Sequence, residues 1–484
     1  MEVSSCQDQR KLRYLDKVSS IVPKVRDPGL KGRLGSFEHA LSCYNEVGLR
    51  DDPLPAEAVP RDKDFVRDAW KVCLERSPNH HLSLYIHIPF CLESRCKYCR
   101  EYSTILEDRK ELVRYLDYLT EEMQFFSPVF LRNIFSNLYI GGGTSSIFSS
   151  EQLDILYTRI HKYLQVDTKK ECTVEMSPST ATKEKVDLVK RHGFNRISLG
   201  IQSLDEGVLR ENNRIFVSHT RLKDLFDYIR SRNIGCLSAD LLLGLTGDTE
   251  KSLLRSIEGL INLGPDAIVL IRIVKNPVMP FPMDPLSRAN LFRKLYLNQR
   301  ENVNIGINYP VADYSILEVH KKAESLLESC GYIKKYGGVE TIETHFFKEG
   351  KGPHFENYNL DQYNEQSVLG LGIGAASKVG YGPYYADITN IKSDYSFKTS
   401  VYYCKYHAPR DQMRMYLRSK LFSQSQFPFI SIPEFRRKFK TELLEEFGEE
   451  IDVLKWLGLG VVHKDELILS PRDDYDRVLM TRIF

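Results

Sequence analysis

No run of about eighteen apolar residues occurs anywhere in this 484-residue chain, so a membrane-spanning helix is not among its expected elements. The opening stretch MEVSSCQDQRKLRYLDK also lacks the apolar centre of a secretory signal, and the expected location is cytoplasmic. Charge of one sign is not in excess. With 67 basic residues against 65 acidic ones there is no broad field for nucleic acid or an anionic membrane, and neither is expected as a partner. The ten cysteines are mostly isolated along the chain, the wrong texture for a disulfide-stapled secreted domain. Low-complexity tracts are missing, and so are internal repeats beyond a β/α rhythm, which excludes a solenoid.

What is present is length enough for about two or three domains. Residues 1–80 are polar and punctuated by proline (IVPKVRDPGLKGRLG, DDPLPAEAVPRDKD), and read as an N-terminal extension with one helix at DKDFVRDAWKVCLER. From residue 82 short β-rich runs begin: LSLYIHI, NLYIG, CTVEMS, RISLGIQ, CLSADLLL and AIVLIRI. Between them lie helical stretches such as LVRYLDYLTEEMQFF and EQLDILYTRIHKYL. Such alternation predicts parallel pairing, because parallel strands need a long crossover, usually a helix. An open doubly wound sheet and a partial barrel both satisfy it, and both gather ligands at the carboxyl ends of the strands. The mixed pattern continues to about residue 400, and residues 401–484 read as a small helical or winged-helix-like domain ending in a hairpin.

Only one group of cysteines clusters: Cys91, Cys96 and Cys99, directly after the first strand in YIHIPFCLESRCKYCREYS. Soft thiolates so close together in a reducing compartment suggest zinc, copper(I) or an iron–sulfur cluster. Zinc would need a fourth protein ligand, for which His87 is the nearest imidazole. The C-x4-C-x2-C spacing also occurs in plant-type ferredoxins, where a fourth cysteine completes a two-iron cluster. A cluster held by only three thiolates leaves one iron open to something other than protein. Other informative residues fall at strand ends: GGGT after the second strand, Glu175 ending the third, Gln202 ending the fourth, and Asp240 in the fifth.

Six segments in register, LSLYIHIPFC…CKYC, LYIGGGTSS, TVEMSP, FNRISLGIQSLDEGVLRENNR, ADLLLGLTGDTEKSL and LGLGIGAAS, resemble the radical S-adenosylmethionine enzymes of the oxygen-independent coproporphyrinogen III oxidase type. The resemblance spans residues 81–400 and implies an α/β fold with a partial (β/α)6 barrel. It implies a [4Fe–4S] cluster on Cys91, Cys96 and Cys99, whose open iron takes S-adenosylmethionine. One-electron cleavage of that molecule yields methionine and a 5′-deoxyadenosyl radical, which abstracts hydrogen from an unactivated carbon. Tyr85, Gly142, Glu175 and Ala376 match positions that contact the cluster-bound cofactor. Tyr98, Gly143, Thr144, Gln202, Arg214, Asp240 and Val274 match a second S-adenosylmethionine site in that family.

The chain departs from the family in three places. Its first two ligands are separated by four residues rather than three. Glu101 stands where the oxidases carry a further cysteine, and HFENYNLDQY does not reproduce the HN..YW-like segment of the related haem chaperones. A third subgroup uses the second cofactor as a one-carbon donor. The expected function is therefore methylation or cyclopropanation of an unsaturated carbon in a specialised metabolite. Coproporphyrinogen III decarboxylation and haem binding without turnover are the alternatives. The expected partners are a small unsaturated or tetrapyrrole-like substrate and a reducing electron donor such as flavodoxin or ferredoxin.

Overall fold

A computed structural model describes residues 14–35, 59–76, 81–92, 95–99, 101–273, 316–336, 343–351, 367–380, 384–387, 395–423, 429–472, 476, 479–480 and 483–484. A first helix covers residues 14–21, and helix α1 (Pro28–Gly35) follows it. Strand β1 (Val59–Arg61) and helix α2 (Lys63–Arg76) lead into β2 (Leu82–Ile88) and the short β3 (Phe90–Cys91) and β4 (Thr104–Ile105). Five β/α units then follow: α3 (Lys110–Phe130) and β5 (Phe135–Gly142), α4 (Ser150–Tyr163) and β6 (Cys172–Met176), α5 (Lys183–Arg191) and β7 (Arg196–Gln202), α6 (Glu206–Glu211) with α7 (His219–Ser231) and β8 (Cys236–Leu243), then α8 (Glu250–Leu263) and β9 (Ala267–Arg272). Beyond them come α9 (Ile316–Ser329), β10 (Tyr332–Tyr336), β11 (Glu343–Lys348), β12 (Ser367–Leu371), β13 (Ala376–Lys378), β14 (Tyr384–Asp387) and β15 (Tyr402–Lys405). The chain closes with α10 (Pro409–Ser423), β16 (Phe429–Ser431), α11 (Ile432–Phe439), α12 (Leu443–Leu457), β17 (Gly460–His463) and β18 (Glu466–Leu469).

The six runs read from the sequence form consecutive parallel strands β2, β5, β6, β7, β8 and β9. β12 adds a seventh, parallel to β2, and antiparallel strands extend both sides into one open thirteen-stranded sheet. The period-two alternation explains the two faces. Leu82, Leu84, Ile86 and Ile88 of β2, Ile197, Leu199 and Ile201 of β7, and Leu237, Ala239, Leu241 and Leu243 of β8 all enter the large apolar core. Several intervening positions are polar and meet across the opposite face: Arg196 Nη2 donates to Ser238 Oγ at 3.2 Å, and Ser198 Oγ to Asp240 Oδ1 at 3.1 Å. One covered apolar face and one polar face place the chemistry on the latter.

Helix ends are set locally. Ser149 and Gln152 form a reciprocal capping box at α4, Asp205 caps α6 through Val208 N–H, and α8 ends on Gly264 in the left-handed region. Val66, Trp70, Cys73 and Leu74 of α2 pack into the main core. Val18, Ile21, Val25, Leu30 and Leu34 enter a second core with α10 to α12 and the β16–β18–β17 sheet. Among the described residues no helix is long and apolar enough to cross a membrane.

Candidate functional site

The cysteine loop leaves the carboxyl end of β2 and is tied down on both sides. Thr104 N–H donates to Pro89 O at 2.7 Å and Leu106 N–H to Cys91 O at 2.8 Å, which pairs β3 with β4. Farther along, Lys97 N–H donates to Asn212 O at 3.2 Å, and Cys99 N–H to Cys96 O at 3.1 Å. All three thiols are half-buried and free of disulfides. Burial pushes the Cys91 thiol up and the Cys99 thiol up to about 12, so as bare thiols both are held neutral. Thr144 Oγ1 lies 3.9 Å from Cys91 Sγ, and the Arg214 guanidinium 4.0 Å from Cys96 Sγ.

The donor set can be tested against the possible metals. His87 is not available to zinc: its Nδ1 meets the Tyr85 hydroxyl at 2.8 Å and its Nε2 meets Tyr102 O at 2.7 Å. Among the described residues no set of three or more His, Cys, Asp and Glu side chains is drawn together around a single-ion site. No described cysteine supplies the fourth sulfur of a ferredoxin centre either. Cys172 and Cys236 are buried at the amino ends of β6 and β8, and Cys73, Cys330 and Cys404 lie on α2, after α9 and on β15. Three sulfurs with a guanidinium and hydroxyls beside them fit a cluster that keeps one iron for an external ligand.

Two polar stations flank the thiols. At the first, Gly142 (φ +111°) turns the chain out of β5, and a Cβ on neighbouring Gly141 would sit 2.5 Å from Glu175 Oε2. Glu175, at the end of β6, accepts from the Tyr139 hydroxyl and from the Gly142 backbone N–H. Burial, with Asp240 and Glu101 nearby, pushes its carboxyl up to about 8 against those two donors. The Tyr85 ring lies 6.2 Å from that of Tyr139. Ala376 is exposed at the start of β13, which pairs with β12 beside β2.

At the second station Arg214 Nη2 donates to Gly200 O at 2.6 Å, and a Cβ on Gly200 would meet Gln202 Nε2 at 2.8 Å. Gln202 has the unusual φ of +70° and a buried Oε1 without a protein donor. Asp240 is pushed up to about 6 by burial, opposed by Arg196 and Ser198. Tyr98, partly buried, has its hydroxyl pushed well up by burial, opposed by the Arg214 charge and reinforced by Cys96. Gly143 N–H donates to Ile88 O at 2.8 Å, which sets Thr144 beside Cys91. Thus Tyr85, Tyr98, Gly142, Gly143, Thr144, Glu175, Gln202, Arg214 and Asp240 gather at the strand ends, and Val274 lies outside the described residues.

Sequence reasoning passed over Tyr139 and Arg196. Arg196 forms a buried ion pair with Glu171 at 2.8 Å beneath the site. Tyr139 shares a strand face with Gly141 in LYIGGG, but that placement becomes informative only once β5 and β6 are paired.

A model of the radical SAM superfamily matches residues 85–260, the stretch from Tyr85 through α8. Over that stretch the chain resembles the radical SAM superfamily, and its relatives and its fold are HemN-like. That superfamily uses a [4Fe–4S] cluster and S-adenosylmethionine, and the three-thiol set fits that pair. The oxygen-independent coproporphyrinogen III oxidase of Salmonella typhimurium is 28% identical over 348 residues, covering 70% of each chain. The heme chaperone HemW of Lactococcus lactis is 25% identical over 382 residues, 77% of this chain and 89% of HemW. In three dimensions the coproporphyrinogen III oxidase HemN of Escherichia coli superposes with a TM-score of 0.68 at 20% identity, covering 92% of this chain and 96% of HemN. The methylation or cyclopropanation expected from the sequence finds no support in these relatives, whose names fit the two alternatives.

Proposed function

We propose that this HemN-like protein is an oxidoreductase acting on a propionate-bearing tetrapyrrole of the coproporphyrinogen III type. The observation that carries this reading is the pair of polar stations beside the thiols, Glu175 with Tyr139 on one and Arg214, Gln202 and Asp240 on the other. Support also comes from the relatives named as oxidases.

In this reading Cys91, Cys96 and Cys99 hold the cluster. Glu175, Tyr85, Gly142 and Ala376 orient the cofactor bound to it, and Tyr98, Gly143, Thr144, Gln202, Arg214, Asp240 and Val274 receive a second molecule. When bound, the cluster and cofactor supply a one-electron reduction of the sulfonium and a hydrogen-abstracting radical. The protein's own part is orientation and exclusion of water. Arg214 pairs with an anionic group, Glu175 with a cationic or hydroxyl group, and the buried Arg196–Glu171 pair fixes the floor on which both rest. Loss of a hydrogen atom and carbon dioxide from a propionate leaves a vinyl group and one electron, so an external acceptor is required. The cluster needs a reductant of the flavodoxin or ferredoxin kind.

The test is mass spectrometry of an anaerobic reaction of the reconstituted protein with S-adenosylmethionine, reductant and coproporphyrinogen III. Formation of 5′-deoxyadenosine together with a decarboxylated porphyrinogen is the expected outcome. S-adenosylhomocysteine with a methylated product would overturn it in favour of methyl donation, and tight haem binding with no 5′-deoxyadenosine in favour of a carrier.

A further inference from the structure

Tyr139 belongs to none of the sets carried over from the family, yet its hydroxyl meets the Glu175 side chain at the first station. It lies on β5 two residues before Gly141, so its side chain and the glycine occupy the same strand face. Its hydroxyl donates to Glu175 Oε1 on the neighbouring strand β6. The space is shaped for this pair: a Cβ on Gly141 would sit 2.5 Å from Glu175 Oε2 and 3.0 Å from Tyr139 Cε1. A second donor, Gly142 N–H, holds the same carboxylate from the turn. The Tyr85 hydroxyl, nearby on β2, is engaged with His87 instead, so it cannot replace Tyr139. A buried carboxylate rotates freely about its last bond unless donors fix its plane. Here one donor comes from a side chain and one from the backbone, and only the first can be removed by substitution.

We propose that Tyr139 is a positioning residue that fixes the plane of Glu175 toward S-adenosylmethionine at the cluster. The inference rests on Glu175 contacting that cofactor, as set out above. Tyr139 acts through Glu175.

The experiment uses the reconstituted full-length holoprotein and its Tyr139→Phe, Glu175→Gln and doubly substituted forms. S-adenosylmethionine is titrated against the electron paramagnetic resonance spectrum of the reduced cluster, which gives a dissociation constant independent of turnover. Tyr139→Phe is expected to weaken binding about tenfold, the scale for losing one buried hydrogen bond. It should raise KM more than it lowers kcat, with iron content unchanged. The double variant is expected to bind no worse than Glu175→Gln alone, because the two residues act as one unit. Wild-type affinity in Tyr139→Phe, or losses that simply add in the double variant, would overturn the proposal while leaving Glu175 in place. Wild-type affinity in Glu175→Gln would instead remove the site reading on which the proposal rests.

Discussion

At the scale of single residues the thiols and the buried carboxylates are the points to probe. Replacing Cys96 with alanine removes one of three sulfurs from a half-buried loop, outside both apolar cores. The expected outcome is loss of bound iron and of 5′-deoxyadenosine formation with the far-ultraviolet circular dichroism unchanged; full retention of the nucleoside product would contradict the ligand assignment. Glu175 carries a pH signature. Its native carboxyl stays protonated up to about 8, whereas in the unfolded chain it ionises in the ordinary range near 4.5. The native state therefore binds more protons between those values, and its contribution to stability falls as pH rises through that window. Asp240, raised to about 6, adds in the same sense over the lower part. Thermal unfolding of the cluster-free protein at about pH 5 and about pH 8.5 should show a smaller loss of Tm in Glu175→Gln than in wild type. An identical loss in both would show that the residue is not buried as described. Most of these residues were legible in the sequence, because cysteine, glycine and carboxylate at strand ends are chemically conspicuous. Tyr139 was not, since one more tyrosine among twenty-seven carries no signal until β5 and β6 are paired.

At the scale of elements, the six parallel strands could be read as short apolar runs bounded by helices. The rest of the sheet could not. β12 is the five-residue SVLGL, too brief and too glycine-rich to announce a seventh parallel strand. The tyrosine-rich segments Tyr384–Asp387 and Tyr402–Lys405 supply β14 and β15. β1 is Val-Pro-Arg, a segment of poor strand propensity that is tolerated because it lies at the sheet edge. Its partner is β15, more than three hundred residues away, a pairing that no local pattern encodes. The turn after β12 shows how such pieces serve the site. Tyr115 Oη donates to His87 O at 2.7 Å and accepts from Ile373 N–H at 3.0 Å, while the Gly372 N–H donates to buried Glu122 at 2.7 Å. Gly374 has φ +89°, and a Cβ there would lie 2.4 Å from the Tyr102 ring. Gly374→Ala is expected to cost about 2 kcal/mol or more, from backbone strain and steric overlap together. Denaturant unfolding measures this directly, and a change within about 0.5 kcal/mol would mean that the turn is not packed as described.

At the scale of the whole molecule, both ends of the chain are joined in one unit. Leu30 and Leu34 are fully buried against the helices of the C-terminal region, Asp27 N–H donates to Glu449 at 2.8 Å, and Arg33 meets the buried Glu450 at 3.2 Å. The polar, proline-punctuated residues 1–80 read as an extension lying over something else, but not over what, because burial of a few leucines on a distant partner leaves no periodicity to read. Leu34→Ala is expected to destabilise the C-terminal core by about 2–4 kcal/mol through lost contacts and the cavity left behind. Earlier proteolytic release of that region would report it, and unaltered resistance would speak against the clasp. The main core instead takes up α2, so that the described N-terminal residues contact both the sheet and the C-terminal unit.

That face is worth its buried charges only if three sulfurs hold an iron cube with one corner open. Mössbauer spectra of iron-57-reconstituted protein, recorded anaerobically before and after S-adenosylmethionine is added, address this most directly. The expected result is a [4Fe–4S] spectrum in which one iron site alone shifts when the cofactor arrives. A two-iron spectrum, or a four-iron spectrum indifferent to the cofactor, would contradict the account.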